Sequence, residues 1–148
     1  MKIKLRCKEE NRPLYEKMLI DGGFSISDDS SLSFVEDSYF VEYLIGKLND
    51  DNVMVYLKDI IVVESCGRDI VARTQAGTFK LKDTLEHLED LLKPVGFIRI
   101  SQSTILQKSS IEKISQGFSM RFLLTLKAGI KADVTRSYYF SFKSFIGL

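Results

Sequence analysis

From Val53 onward the sequence is a succession of short β-branched and aromatic runs, each closed by a glycine or a polar turn. Val53-Met-Val-Tyr-Leu and Ile60-Ile-Val-Val-Glu are separated by Lys58-Asp59. Ser65-Cys-Gly-Arg-Asp69 makes a turn, and Ile70-Val-Ala-Arg-Thr74 with Thr78-Phe-Lys-Leu81 makes a hairpin around Gln75-Ala-Gly77. Phe97-Ile-Arg-Ile100 is a strand that Thr104-Ile-Leu106 continues, Ile111 to Ile114 is a short strand, and Phe118–Lys127 with Lys131–Thr135 closes on Ala128-Gly129. Turn signals recurring about every eight to twelve residues argue for a mostly β domain. One helix interrupts the pattern: Asp83 or Thr84 caps it, Leu85, Leu88 and Leu92 form its stripe, and Pro94 ends it.

The first fifty residues have another texture. Lys2 to Lys8 alternates cations with Ile3, Leu5 and Cys7, the period of a half-buried strand. Asn11-Arg-Pro13 opens a helix with Leu14, Tyr15, Met18 and Leu19 as its apolar stripe, and Gly22-Gly23 ends it. Ser25 to Ser31 is polar and turn-like. The spacing of Phe40, Val41, Leu44, Ile45 and Leu48 predicts a second helix over 38–48. The chain is thus expected to divide into a small α/β unit at 1–50 and a β-rich domain at 51–148, the first too short to bury a large core alone.

Charge follows the same division. Residues 1–52 carry seven Lys/Arg against eleven Asp/Glu, a net of −4, and the rest carry 14 against 9, a net of +5. Within 97–148 eight cations face only Glu112 and Asp133, a net of +6. A basic half joined to an acidic half suits a polyanion-binding module with a separate interaction part.

Enzyme chemistry finds little support. His87 is the sole histidine, which rules out Ser-His-Asp and multi-histidine metal sites. Glu89/Asp90 and Asp28-Asp29 read as solvated carboxylates. No cofactor or small-molecule substrate is expected. The two cysteines, Cys7 and Cys66, form no disulfide framework, and no apolar run is long enough to cross a membrane, so a cytoplasmic setting is the expectation.

Four segments in order resemble one family. Asp59-Ile-Ile-Val-Val-Glu-Ser-Cys-Gly-Arg is similar to the D-I-x-x-I-E-S strand and loop of LytTR domains, and Thr84-Leu-Glu-His-Leu-Glu-Asp-Leu-Leu to their single helix. Phe97-Ile-Arg-Ile-Ser-Gln-Ser resembles their F-x-R-x-H-R/N-S strand and turn, and Val134-Thr-Arg-Ser-Tyr138 their V-S-R-x-Y strand. The resemblance implies an elongated β-sheet DNA-binding domain with one helix, which reads double-stranded DNA with three loops. Those loops fall on Arg68 or Asp69, on Gln102 beside Ser101 and Ser103, and on Arg136. It also implies a bacterial transcription regulator bound to tandem direct repeats as a homodimer, with a membrane protein as a possible regulatory partner. A receiver domain needs over a hundred residues upstream, so control by phosphorylation is not expected. Ser101-Gln102 and Gln107 depart from the family pattern.

The residue chemistry fits. Arg can grip guanine bidentately and Gln can grip adenine. Ser hydroxyls and Lys108 suit phosphate, and Arg99 either joins them, points to solvent or pairs with Glu112. Two other readings compete. One is a protein-interaction module or inhibitor on the same fold. The other is a single-strand binder stacking bases on Phe118, Phe122, Tyr138 and Tyr139.

Overall fold

The alternation at the N-terminus does produce a strand. In the computed structural model, which describes residues 1–37 and 39–148, β1 (Lys2–Arg6) lies between β2 (Ser25–Ile26) and β3 (Ser33–Val35) in a parallel sheet. Parallel neighbours need a crossover, and α1 (Arg12–Asp21), with Pro13 in its first turn, supplies it. Leu5, Cys7 and Leu19 form the core, with Ile3, Tyr15, Phe24 and Phe34 packed on it. The helix stripe differs from expectation: Tyr15 and Leu19 pack, while Leu14 and Met18 are 60% and 55% exposed. Asn11 precedes α1 as expected but does not cap it; its side-chain amide donates to Glu36. The Glu36 carboxylate also accepts from the Lys8 N–H at 2.8 Å and the Tyr15 hydroxyl at 3.3 Å, which ties the exit of β3 to the entry of α1.

These elements belong to one unit, Met1–Phe40, and Val41–Leu148 is the second. The segment expected to be a second helix is instead β4 (Tyr43–Leu48), paired with β5 (Asp51–Tyr56) across a turn at Asn49. Ser38 lies outside the described residues. The β4 backbone is held by a close approach. A Cβ at Gly46 would stand 2.8 Å from Val55 and 2.9 Å from Phe79, so only glycine lets the strand lie there. β4 therefore belongs to the β-rich unit, which begins near 41 rather than 51.

β6 (Ile60–Cys66), β7 (Asp69–Thr74), β8 (Gly77–Leu81), β9 (Phe97–Arg99) and β10 (Thr104–Gln107) complete a seven-stranded antiparallel sheet in the order β5-β4-β8-β7-β6-β10-β9. β10 does not continue β9 but turns back on it. One face is covered by α2 (Leu85–Leu92), whose Leu85, Leu88 and Leu92 pack with Val63, Phe79, Phe97 and Ile105. Each such buried side chain contributes roughly 1.5–3 kcal/mol. The predicted cap forms: Thr84 Oγ1 accepts from the His87 N–H at 3.2 Å.

The other face carries a second core of Ile61, Val62, Ile100, Leu106, Phe122, Leu124, Leu126, Val134 and Phe142. Its cover is a three-stranded sheet of β11 (Ile111–Gln116), β12 (Phe122–Leu126) and β13 (Lys131–Val134), with a third helix, α3 (Tyr139–Ile146). The expectation of one helix in this domain and of a strand through Tyr138 is corrected here. The strand stops at Val134, a 3-10 turn covers Arg136–Tyr138, and burial of Phe142 with stacking of Tyr139 on Phe122 (4.6 Å) selects a helix.

Candidate nucleic-acid interface

Three segments far apart in sequence are joined at one end of the larger unit. The turn after β9 is closed by the Ile100 N–H donating to the Thr104 carbonyl at 2.9 Å. Its Ser103 carbonyl accepts from the Ser65 N–H at 2.8 Å, which joins it to the β6–β7 hairpin. The Ile100 carbonyl accepts from the Thr135 N–H at 3.0 Å, which joins it to the end of β13. Arg68, Gln102 and Arg136, one from each segment, are all exposed. The three positions named by the resemblance thus lie on segments that meet at this end: Gln102 in the turn itself, Arg68 three residues beyond Ser65, and Arg136 one beyond Thr135.

Arg99 has a different place. It is only 9% exposed, and its guanidinium donates to the Ser101 and Gln102 carbonyls at 3.1 and 2.5 Å. Its carboxylate partners are Glu89 at 3.2 Å and Glu86 at 3.6 Å on α2, not Glu112. With its donors engaged in this way, Arg99 braces the 101–103 turn from behind. The i, i+3 spacing of Glu86 and Glu89, which puts both on one helix face, was the sequence signal for this pairing.

Within the turn, Ser101 Oγ accepts the Ser103 N–H at 3.2 Å, which leaves Gln102 at the apex. Asp69 opens β7 across from Cys66, and its carboxylate pairs with Lys80 at 3.4 Å. Glu64, beside the same hollow as Gln102 and Lys131, pairs with Arg73 at 3.3 Å. Two carboxylates near this end thus have cationic partners, which offset their negative charge.

Lys108 is not brought to this group. It follows β10 at the end opposite the Gln102 turn, about 13 Å away along the strand. Its ammonium lies over the Phe145 ring at 5.3 Å. Gln107 also faces inward, and with its amide nitrogen turned toward the Leu57 and Ile60 carbonyls it donates to both, at 2.9 and 2.6 Å. The departure at Gln107 is therefore a strut between loops. Of the four aromatics a single-strand platform would use, Phe122 is buried, Tyr139 stacks on it, Tyr138 is half-buried, and Phe118 alone is fully open.

The LytTr DNA-binding domain family matches residues 50–147, well over half of the chain. The chain belongs to the LytTR family. Among curated proteins it is similar to the transcriptional regulatory protein LytR of Staphylococcus aureus, at 28% identity over 123 residues, covering 82% of this chain and 50% of that protein. It is also similar to the sensory transduction protein LytR of Staphylococcus saprophyticus, at 29% identity over 102 residues, covering 69% of this chain and 40% of that protein. The chain thus spans half or less of these relatives' length. Among solved structures, the LytTR domain of a Bacillus cereus protein described as a methyl-accepting/DNA response regulator has a TM-score of 0.70 at 24% identity. That match covers 73% of this chain and 99% of that one, a likeness of fold.

Proposed function

We propose that the protein is a transcription regulator that binds double-stranded DNA through the loop end of the larger unit. The observation that carries this reading is the hydrogen bonding of the Gln102 turn to the segments that lead to Arg68 and Arg136, with all three side chains exposed. In the major groove Arg136 and Arg68 take guanine O6 and N7, and Gln102 takes adenine N6 and N7. Ser101 and Ser103 hydroxyls position the turn on phosphate, and Arg99 acts by holding it in place. Prior bonding of the turns lowers the ordering cost of binding. The acidic residues 1–40 form a regulatory unit that meets a second copy or a partner protein, a membrane protein included, and two copies occupy tandem repeats. No helix among the described residues is long and apolar enough to cross a membrane.

The test is anisotropy titration against duplex and single-stranded DNA over a range of salt. A DNA regulator loses about 0.9 log units of affinity per phosphate contact per log unit of salt and prefers duplex. Salt-independent or absent binding would instead favour a protein-interaction module, and a preference for single strands would overturn the groove reading.

A further inference from the structure

The hairpin tip between β11 and β12 carries the most exposed aromatic among the described residues, and it lies outside the proposed set of three loops. Phe118 is 95% exposed. Around it the tip is tightly built: the Gly117 N–H donates to the Arg121 carbonyl at 2.8 Å, and Gln116 Nε2 donates to the carbonyls of Gly117 (3.3 Å) and Arg121 (3.2 Å). The Tyr139 hydroxyl donates to Gln116 Oε1 at 3.3 Å, which braces the tip from the start of α3. Ser119 and Met120 both hold positive φ, 56° and 57°, in the left-handed region that disfavours side chains. The ring is displayed by a fixed loop.

Strand register places this tip. β12 pairs with β13 so that Phe122, its first residue, lies opposite Val134, the last, and the Tyr139–Gln116 bond ties the tip to the segment that follows Arg136. The tip therefore stands next to the segment 135–139, which carries Arg136. Arg121 is exposed and its charge has no ion-pair partner among the described residues.

We infer that the β11–β12 tip is a fourth DNA-contacting loop, with the Phe118 ring packed on the sugar and base edges beside the Arg136 site and Arg121 on the adjoining phosphate. This rests on the DNA-binding reading above. A single ring between Gly117 and Ser119 falls far short of the roughly 800 Å² per partner of a stable protein interface. An apolar side chain such as Phe contacts the thymine methyl on the major-groove edge, and neighbouring cations take the backbone.

The test compares the full-length wild type, Phe118→Ser and Arg121→Ser on one duplex enriched by the wild type, across salt. Loss of a buried Phe contact weakens binding about tenfold or more with the salt slope unchanged. Loss of one phosphate contact makes the slope shallower by about 0.9. Phe118→Ser retains the wild-type melting temperature, since its ring is almost wholly exposed. A wild type that binds steeply with salt beside a Phe118→Ser variant within twofold of it overturns this inference alone. So does a Phe118→Ser variant whose sedimentation changes in the absence of DNA, because the ring then serves a protein contact. A wild type that holds no duplex overturns the DNA reading and this inference together.

Discussion

The guanidinium of Arg99 reaches forward to the carbonyl oxygen of Gln102, three residues on, while its other side is held by Glu89 from α2. A core-facing arginine thereby fixes the shape of an exposed turn. Replacing it by leucine leaves two carbonyls and two carboxylates without their donor, and both carboxylates are partly solvated. The expected loss is about 1–3 kcal/mol in urea unfolding. Duplex affinity is expected to fall as well, through the lost shape of the Gln102 turn. Arg99→Lys recovers little, because an ammonium cannot fork to both carbonyls.

Phe142 tests whether α3 belongs to the fold. It is fully buried in the second core beside Phe122, 5.4 Å between ring centroids. Phe142→Ala is expected to cost about 3–5 kcal/mol. An unfolding midpoint equal to that of the wild type would show α3 to be a detached tail.

Glu36 sets the acid response of the first unit. Its carboxyl is held below its ordinary value of 4.5, first by the Lys8 N–H and then by the Asn11 and Tyr15 donors, against an opposing contribution from burial. A depressed carboxyl contributes stability that is present above 4.5 and lost as pH falls through the lower, folded value. Amide exchange in residues 1–40 is expected to quicken below about pH 4.5, and Glu36→Gln flattens that dependence. Pronounced acid lability in Glu36→Gln equal to that of the wild type would assign it to another group.

The unit boundary gives a fourth prediction. Removal of residues 1–48 deletes β4, which lies between β5 and β8, and should unfold the β-rich unit. Removal of residues 1–40 leaves every strand of that sheet in place. The 41–148 fragment is expected to fold and to bind duplex within a few-fold of the full chain, with self-association altered. A folded fragment without DNA affinity would place part of the interface in the first unit.

Much of this was legible in the sequence because it is local. The Thr84 cap, the β7–β8 hairpin, the Pro94 stop and the alternation in β1 each rest on neighbours within a few positions. What escaped was decided at long range. β4 carries apolar residues on both faces, with Leu44 packed and Ile45 half-exposed, so its pattern mimics a helix until β5 and β8 pair with it. The strand implied by the resemblance runs from Val134 to Tyr138, yet the chain leaves the sheet after Val134, and burial of Phe142 makes the following segment a helix. Alternation points Arg99 toward solvent, yet α2 covers it. For the interface, the candidate positions came from the resemblance, while their meeting depends on the Ser65–Ser103 and Ile100–Thr135 hydrogen bonds, which join segments 35 or more positions apart.

The most direct test of the DNA reading is in vitro selection of bound duplexes by the wild type, Gln102→Ala and Arg136→Ala. The wild type is expected to enrich a repeated motif, and each variant to lose base preference at its own position, at about 1–3 kcal/mol of discrimination. Failure of the wild type to enrich any motif, or recovery by Arg136→Ala of the same motif with unchanged strength and base preference, would contradict it.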